Sequence, residues 1–534
     1  MAMILEEILE SIEVWLHVIK KKQQYVNPNL DPVLLVPGIA GSILTAVDGK
    51  GHEERVWVRL LAADRKFRTK MWSRFDPSSG KTLSLDPETR VVVPEDRFGL
   101  YSCDVLDPDM IIGKDSVCYF HDMIEEMISW GFQEGETLFG FGYDFRQSNR
   151  LQETFDRFTA KLESIYKCSE GKKVTIISHS MGGLLVKCFM CLHKDVFEKY
   201  VKNWIAIAAP FQGAPGYITD TLLNGISFVE GWEQSLFISK WSMHQLLIEC
   251  PSIYELMGCP DFDWSTPPLL QIWRERSDSS SNSVVKLESY DLRESISIIE
   301  EALADNKIQY DGVDLHLPFN REIFKWANKT REIMSSAKLP STVKFYNIYG
   351  TCNDTPLSVR YGSMETPISD LKQLVPCEPD YICVDGDGTV PVESAMADGL
   401  KAEARIAVPG DHRGLVCDPH VFRIIKHYLK IGYPDPYYNP INDYVILPTS
   451  TEYAKLDEDG LQITAVKEHW EFISGDDENS KDATNETSIH ASVSVGHVGN
   501  DHSREEAHAT VTVHPQDSQG KKHVEVRAIG MSVC

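Results

Sequence analysis

Apolar residues recur along this chain in two rhythms. In residues 4–19 they come at helical spacing. Ile4, Ile8, Ile12, Trp15 and Ile19 form one stripe, widened by Leu5, Leu9 and Leu16, with Glu6, Glu7, Glu10 and Glu13 between them. This predicts an amphipathic helix within an N-terminal segment, residues 1–29, packed by its apolar side on the neighbouring domain. Its acidic polar face has the wrong sign for anionic lipid. From residue 30 the pattern changes. Val33-Leu-Leu-Val36 and residues 174–178, 204–209 and 343–349 are mainly apolar stretches of strand length, whereas 120–130, 151–167 and 183–193 carry helical periodicity. A strand apolar on both sides must be covered on both sides. The alternation therefore predicts an α/β fold, a mostly parallel sheet with helices on both faces.

Two stretches break that alternation. Between the runs at 204–209 and 343–349, over a hundred residues are rich in Trp, Phe, Pro and Ser, with a polar run at 277–283. That is too long for a connection and predicts a cap or lid inserted over a site. Near residue 467 the texture turns polar, and seven of the 17 histidines follow. Val493/Val495, Val511/Val513 and Val524/Val526 alternate there like short strands. The histidine spacings match no zinc pattern. The expected organisation is an N-terminal helix (1–29), a first core segment (30–210), a cap (211–340), a second core segment (341–445) and a polar, His-rich extension (446–534), partly disordered or a small β appendage.

Composition narrows the class. The 534 residues, 42% hydrophobic, can bury one large core. A net charge of −26 disfavours nucleic acid as partner. The 12 cysteines have no framework spacing and the acidic N-terminus is unlike a secretory leader, so a reducing, cytoplasmic setting is expected. Cys188-x-x-Cys191 falls on a helix and reads as buried thiols. No apolar run approaches the roughly 18 residues of a membrane span.

One local pattern carries chemistry. Val174-Thr-Ile-Ile-Ser-His-Ser180-Met-Gly-Gly-Leu-Leu-Val186 is an apolar strand, a tight turn and an apolar helix start. A serine on such a turn is pushed outward as a nucleophile, and the next amide, Met181, is turned toward an oxyanion. This is the nucleophile elbow of α/β-hydrolases, G-x-S-x-G, with Ser178 in place of the first glycine. The serine needs a base, and the base a carboxylate, in the chain order Ser, acid, His. Asp385 and Asp387 both end a strand-like run, Tyr381-Ile-Cys-Val-Asp385-Gly-Asp387-Gly-Thr-Val390. The D-x-x-V spacing, which returns Val390 to the core, selects Asp387. A calcium loop beginning at Asp385 would need Gly at 390 and Glu at 396, where Val and Met stand. The base is His412, in a Gly-bearing loop after the strand-like run 404–408, with His420 as competitor. The second oxyanion amide is expected from Ile39, after Val33-Leu-Leu-Val36. No metal or other cofactor is called for.

Val36-Pro-Gly-Ile-Ala-Gly-Ser, Gly142-Tyr-Asp-Phe-Arg146, Ser178-His-Ser-Met-Gly-Gly and Asp385-Gly-Asp-Gly-Thr-Val together resemble the lecithin:cholesterol acyltransferase family. That family includes lysosomal phospholipase A2 and phospholipid:diacylglycerol acyltransferases. The likeness covers roughly residues 30–430 and is greatest to the plant cytosolic phospholipase branch. It implies an α/β-hydrolase fold, an acyl-enzyme on Ser180, a triad completed by Asp387 and His412, Ile39 at the oxyanion-loop position and a phospholipid donor. Water as acceptor gives a phospholipase A; a sterol or diacylglycerol hydroxyl gives a transferase. Ile39 stands where the family can carry an acidic residue, which argues against a lysosomal acid optimum.

The resemblance also assigns an insertion at about 44–100 to membrane docking. Residues 55–75 support this independently. Trp57, Leu60, Leu61, Phe67 and Trp72 are interleaved with Arg55, Arg59, Arg65, Lys66, Arg68, Lys70 and Arg74 in an otherwise acidic chain. The resulting expectation is a cytoplasmic enzyme, peripherally associated with a phospholipid membrane, whose partners are that surface and its lipid substrate.

Overall fold

A computed structural model describes residues 26–58, 63–109, 117–226, 238–277, 283–432, 487–495, 505–513 and 524–533. The helix expected in 4–19 lies outside the described residues. The chain divides into two compact units, Met1–Leu447 and Pro448–Cys534.

In the first unit, six strands form the central sheet: β1 (Val33–Val36), β2 (Leu138–Gly140), β3 (Val174–His179), β4 (Val201–Ile207), β5 (Lys344–Thr351) and β6 (Ala404–Pro409). Their order is β6-β5-β4-β3-β1-β2, and every neighbouring pair is parallel. Leu34 stands opposite both Phe139 and Ile176, and Ile177 opposite Ile205. Every residue of β1 and β3 is buried, which is why both read as mainly apolar stretches. Side chains such as Leu34, Ile176 and Ile205 are fully enclosed; burial of each contributes about 1.5–3 kcal/mol. The expected α/β-hydrolase architecture is the one present.

The helices follow the predicted periodicity. Helix α1 (Gln152–Cys168) turns Phe155, Phe158, Leu162 and Ile165 inward. Helix α2 (Met181–Leu192) is buried from Met181 through Met190, and the helix Arg321–Ser335 packs against it. The chain leaves β1 toward β2 on one side and continues through β3 on the other. The strand order therefore reverses between β1 and β3, and the crevice beyond their carboxyl ends is where open α/β sheets bind ligands.

The stretch expected as a cap, 211–340, has its own secondary structure and shares a sheet with the segment C-terminal to it. The strands Ser283–Tyr290, Leu270–Ser277, Asn353–Tyr361 and Asp380–Gly386 pair in that order. The 341–445 segment thus contributes to two sheets instead of only to the core. The cause is a shared apolar face, with Leu270, Ile272, Leu357, Val359 and Tyr361 all buried. In the 44–100 insertion, Leu44–Val47 pairs with both Glu53–Trp57 and Arg90–Val92, and Ser73–Asp76 pairs with Lys81–Ser84. In the second unit, Thr487–Val495, Glu505–Val513 and Val524–Val533 make an antiparallel three-stranded sheet, and the three alternating valine pairs fall in these strands.

Candidate active site

Ser180 is the turn residue between β3 and α2. Its backbone sits at φ 54°, ψ −129°, a region rarely occupied by residues with a Cβ. Two bonds hold it there: Ser180 N–H donates to Ile207 O at 2.9 Å, and Gly183 N–H donates to Ser180 O at 2.9 Å. The turn has no room for side chains beside it. A Cβ on Gly182 would lie 2.5 Å from Pro37 O, and one on Gly183 2.5 Å from Ala209 Cβ. Ser178, at the position usual for the first glycine, is fully buried and accepts a 2.8 Å hydrogen bond from Trp204 Nε1. Its hydroxyl is thereby satisfied, so the extra side chain is accommodated.

The fold brings Ser180, His412 and Asp387 together. His412 Nε2 lies 2.8 Å from Ser180 Oγ, and His412 Nδ1 lies 2.8 Å from Asp387 Oδ2. A carboxylate can only accept, so Nδ1 carries the proton and Nε2 is the acceptor facing the serine. The other oxygen of Asp387 accepts from Thr389 N–H and Val390 N–H at 3.0 and 2.7 Å, and the residue is 2% exposed. His412 N–H also donates to Asp387 O at 2.8 Å. The two competing residues are elsewhere. Asp385 Oδ1 accepts from Cys352 N–H at 2.6 Å, and His420 is exposed on the first turn of the helix Pro419–Tyr428.

Met181 is the first residue of α2, so its N–H has no carbonyl one turn back within the helix. Across the crevice, Gly38 N–H donates to Tyr119 Oη at 2.7 Å, and Ile39 is the next amide along that loop. A Cβ on Gly38 would lie 2.6 Å from Ser180 Cβ, so only glycine lets β1 approach the elbow this closely. These residues open onto a cavity of about 410 Å³ whose walls include Ile39, Leu106, Tyr217, Ile218, Leu247 and Ile253. The walls are mainly apolar and Ser180, His412 and Asp387 are among them, so the cavity can hold an apolar chain with an ester at the serine.

Two further residues of this site escaped the sequence reading. His179, directly before the serine, is fully buried and lies 2.6 Å from Tyr119 Oη through Nδ1. Burial holds its pKa well below the ordinary histidine value. A polar ring inside an apolar strand was the signal that could have found His179. Tyr119, in a stretch with no motif, gave none.

The expected docking residues are placed otherwise. Trp57, Phe67 and Trp72 are buried at 1%, 1% and 3% exposure. Trp57 Nε1 donates to Ala40 O, and its ring packs edge-on against Phe145. Trp72 Nε1 donates to Ser242 O in the cap. The neighbouring charges are paired: Arg55 with Asp107 and Asp109, Lys70 with Asp86. These aromatics hold the insertion onto the core and cap and are not presented to a bilayer. Leu60 and Leu61 lie outside the described residues. No helix among the described residues is long and apolar enough to cross a membrane.

Comparison with known proteins bears on the same site. Residues 57–398 match the family model described as lecithin:cholesterol acyltransferase, a span that contains Ser180 and Asp387 and ends before His412. Lecithin-cholesterol acyltransferase-like 4 of Arabidopsis thaliana is 62% identical over 538 aligned residues, covering 100% of both chains. Phospholipase A(1) LCAT3 of the same plant is 51% identical over 75% of this chain and 91% of its own. The human lysosomal phospholipase A and acyltransferase is 31% identical over a shorter stretch, 21% of this chain and 27% of its own.

Proposed function

The chain belongs to the lecithin:cholesterol acyltransferase family, and from that premise we propose that it is a calcium-independent phospholipase A. It cleaves a fatty-acyl ester of glycerophospholipids such as phosphatidylcholine through Ser180, His412 and Asp387. The observation carrying this reading is the unbroken relay Ser180 Oγ, His412, Asp387, with 2.8 Å at each step, at the head of an apolar cavity of about 410 Å³. That volume falls within the roughly 300–1,000 Å³ usual for small-molecule sites. Phospholipase activity in relatives at 51% and 31% identity supports the substrate class.

In this mechanism His412 Nε2 takes the Ser180 proton as Oγ attacks the ester carbonyl. Asp387 stabilises the imidazolium without taking its proton. Charge on the tetrahedral oxygen is met by the Met181 and Ile39 amides, each donor lowering the barrier by about 3–4 kcal/mol. His412 then protonates the departing lysophospholipid oxygen. In the second half, water gives a proton to His412 as it attacks the acyl-enzyme, and His412 returns that proton to Ser180 Oγ as the fatty acid leaves. Ser180→Ala should lower kcat on phosphatidylcholine by about 10⁴-fold or more with lipid binding intact. Hydrolysis at the parental rate would remove Ser180 as nucleophile.

The same acyl-enzyme can be discharged by an alcohol. The acyltransferase activity in the name of the human relative favours testing this second reading, with a sterol or diacylglycerol hydroxyl as acceptor. Labelled phospholipid incubated with and without acceptor separates them: free fatty acid alone supports the hydrolase, labelled ester the transferase. The proposed setting is the cytoplasm, with peripheral contact to phospholipid membranes where the substrate resides. The 12 cysteines without framework spacing support the compartment.

A further inference from the structure

Tyr119 and His179 join the two loops on which the reaction depends, and the direction of every bond between them can be derived. His179 Nε2 is 2.8 Å from the backbone carbonyl of His412. A carbonyl only accepts, so Nε2 carries the hydrogen. His179 is 1% exposed and its burial disfavours the charged form, so the ring is neutral and Nδ1 is an acceptor. Tyr119 Oη, 2.6 Å from Nδ1, must then donate to it. The oxygen lone pair that remains takes the Gly38 N–H at 2.7 Å. The result is one directed chain: Gly38 N–H to Tyr119 Oη–H to His179 Nδ1, and His179 Nε2–H to the His412 carbonyl. Tyr119 is itself fixed by its N–H on Asp104 O at 2.8 Å.

We propose that Tyr119 and His179 are positioning residues that hold the oxyanion loop and the general base in a single register. The inference rests on the reading of Ser180, His412 and Asp387 as the catalytic machinery. The Gly38 amide bound to Tyr119 immediately precedes the Ile39 amide. At the other end, the bond to its carbonyl completes the fixing of His412, whose N–H and Nδ1 are both already held by Asp387. A shift of the Gly38 loop is therefore transmitted to His412 directly, through two rings. A neutral His179 also suits the chemistry. The His179 and His412 rings lie 4.9 Å apart between centroids, so a second positive charge would oppose the imidazolium formed in each half-reaction.

The test uses the full chain and p-nitrophenyl butyrate, a soluble ester that requires no lipid surface. Tyr119→Phe should lower kcat about 10- to 100-fold, with KM within about twofold, because the loss is of alignment and not of binding. His179→Asn, too short to reach the His412 carbonyl, should match it. His179→Gln, whose amide restores a donor near the Nε2 position, should recover at least about fivefold of that loss. The Tyr119→Phe/His179→Asn double variant should be no worse than either single variant to within about threefold, since both break one chain. Parental kcat in both single variants would overturn the proposal, as would losses that multiply in the double variant or a His179→Gln variant no better than His179→Asn. Ser180→Ala measured alongside keeps the premise separate: if it stays active, the nucleophile assignment fails, whereas an inactive Ser180→Ala with unaffected Tyr119 and His179 variants sinks only the positioning role.

Discussion

At the scale of single residues, the site separates groups of the same type by what they touch. Asp385 and Asp387 are two positions apart, the first within the strand Asp380–Gly386 and the second directly after it, yet only Asp387 meets His412 Nδ1. Asp387→Asn would offer an amide to the imidazole and favour the wrong tautomer, so kcat should fall by about 10³–10⁴-fold. Asp385→Asn should leave kcat near the parental value, because its carboxylate binds the Cys352 amide and not the histidine. Steady-state hydrolysis of phosphatidylcholine by the two variants checks this; equal losses would reassign the acid. The elbow motif, the acid and the base were all readable as local patterns of turn and strand. His179 and Tyr119 were not assigned from sequence, since their meaning comes from a contact between positions 60 apart in the chain.

At the scale of elements, β1, β3 and β4 were legible because burial on both faces keeps their sequences mainly apolar, and α1 because one buried face imposes helical spacing. In the 44–100 insertion, Trp57, Phe67 and Trp72 are enclosed where docking residues were expected, for a related reason. Apolar and basic residues alternate in a bilayer-docking segment and also in a small sheet that buries aromatics while its charges pair at the rim. Only the partner surface distinguishes the two. For Trp72 that surface is the Ser242 carbonyl, 170 positions away. Trp72→Ala should therefore destabilise the first unit by about 3–5 kcal/mol, read by denaturant unfolding. Binding to phosphatidylcholine vesicles by the protein that remains folded should be unchanged. Lost vesicle binding at parental stability would return Trp72 to a docking role.

At the scale of the whole molecule, stability should decline on the acid side, for a reason located in the cap. His244 is 2% exposed; its Nε2 donates to Leu222 O at 2.9 Å and its Nδ1 accepts from the Gln245 amide at 3.1 Å. Burial lowers its pKa to about 4. Above the unfolded value of about 6.5 neither state binds the proton, so nothing is lost; below it the unfolded chain binds a proton that the folded chain refuses. Stability therefore drops by about 1.4 kcal/mol per pH unit between roughly pH 6.5 and 4 from this residue alone. Buried His179 works in the same direction. Glu249 and Glu255, whose carboxyls burial pushes upward, oppose it in the carboxylate range. His244→Gln, which retains a donor but cannot titrate, should flatten the fall in unfolding free energy with pH by about one proton; an unchanged slope would exclude His244 as its source. The sequence by itself determined the layered α/β architecture, the serine on its strand-to-helix turn, and the order in which acid and base follow, because these are written in spacings of a few residues. Tertiary structure alone decided which polar groups share protons and which aromatics are enclosed. Those outcomes depend on surfaces contributed by segments far apart in the chain, 233 positions for His179 and His412, which no local pattern encodes.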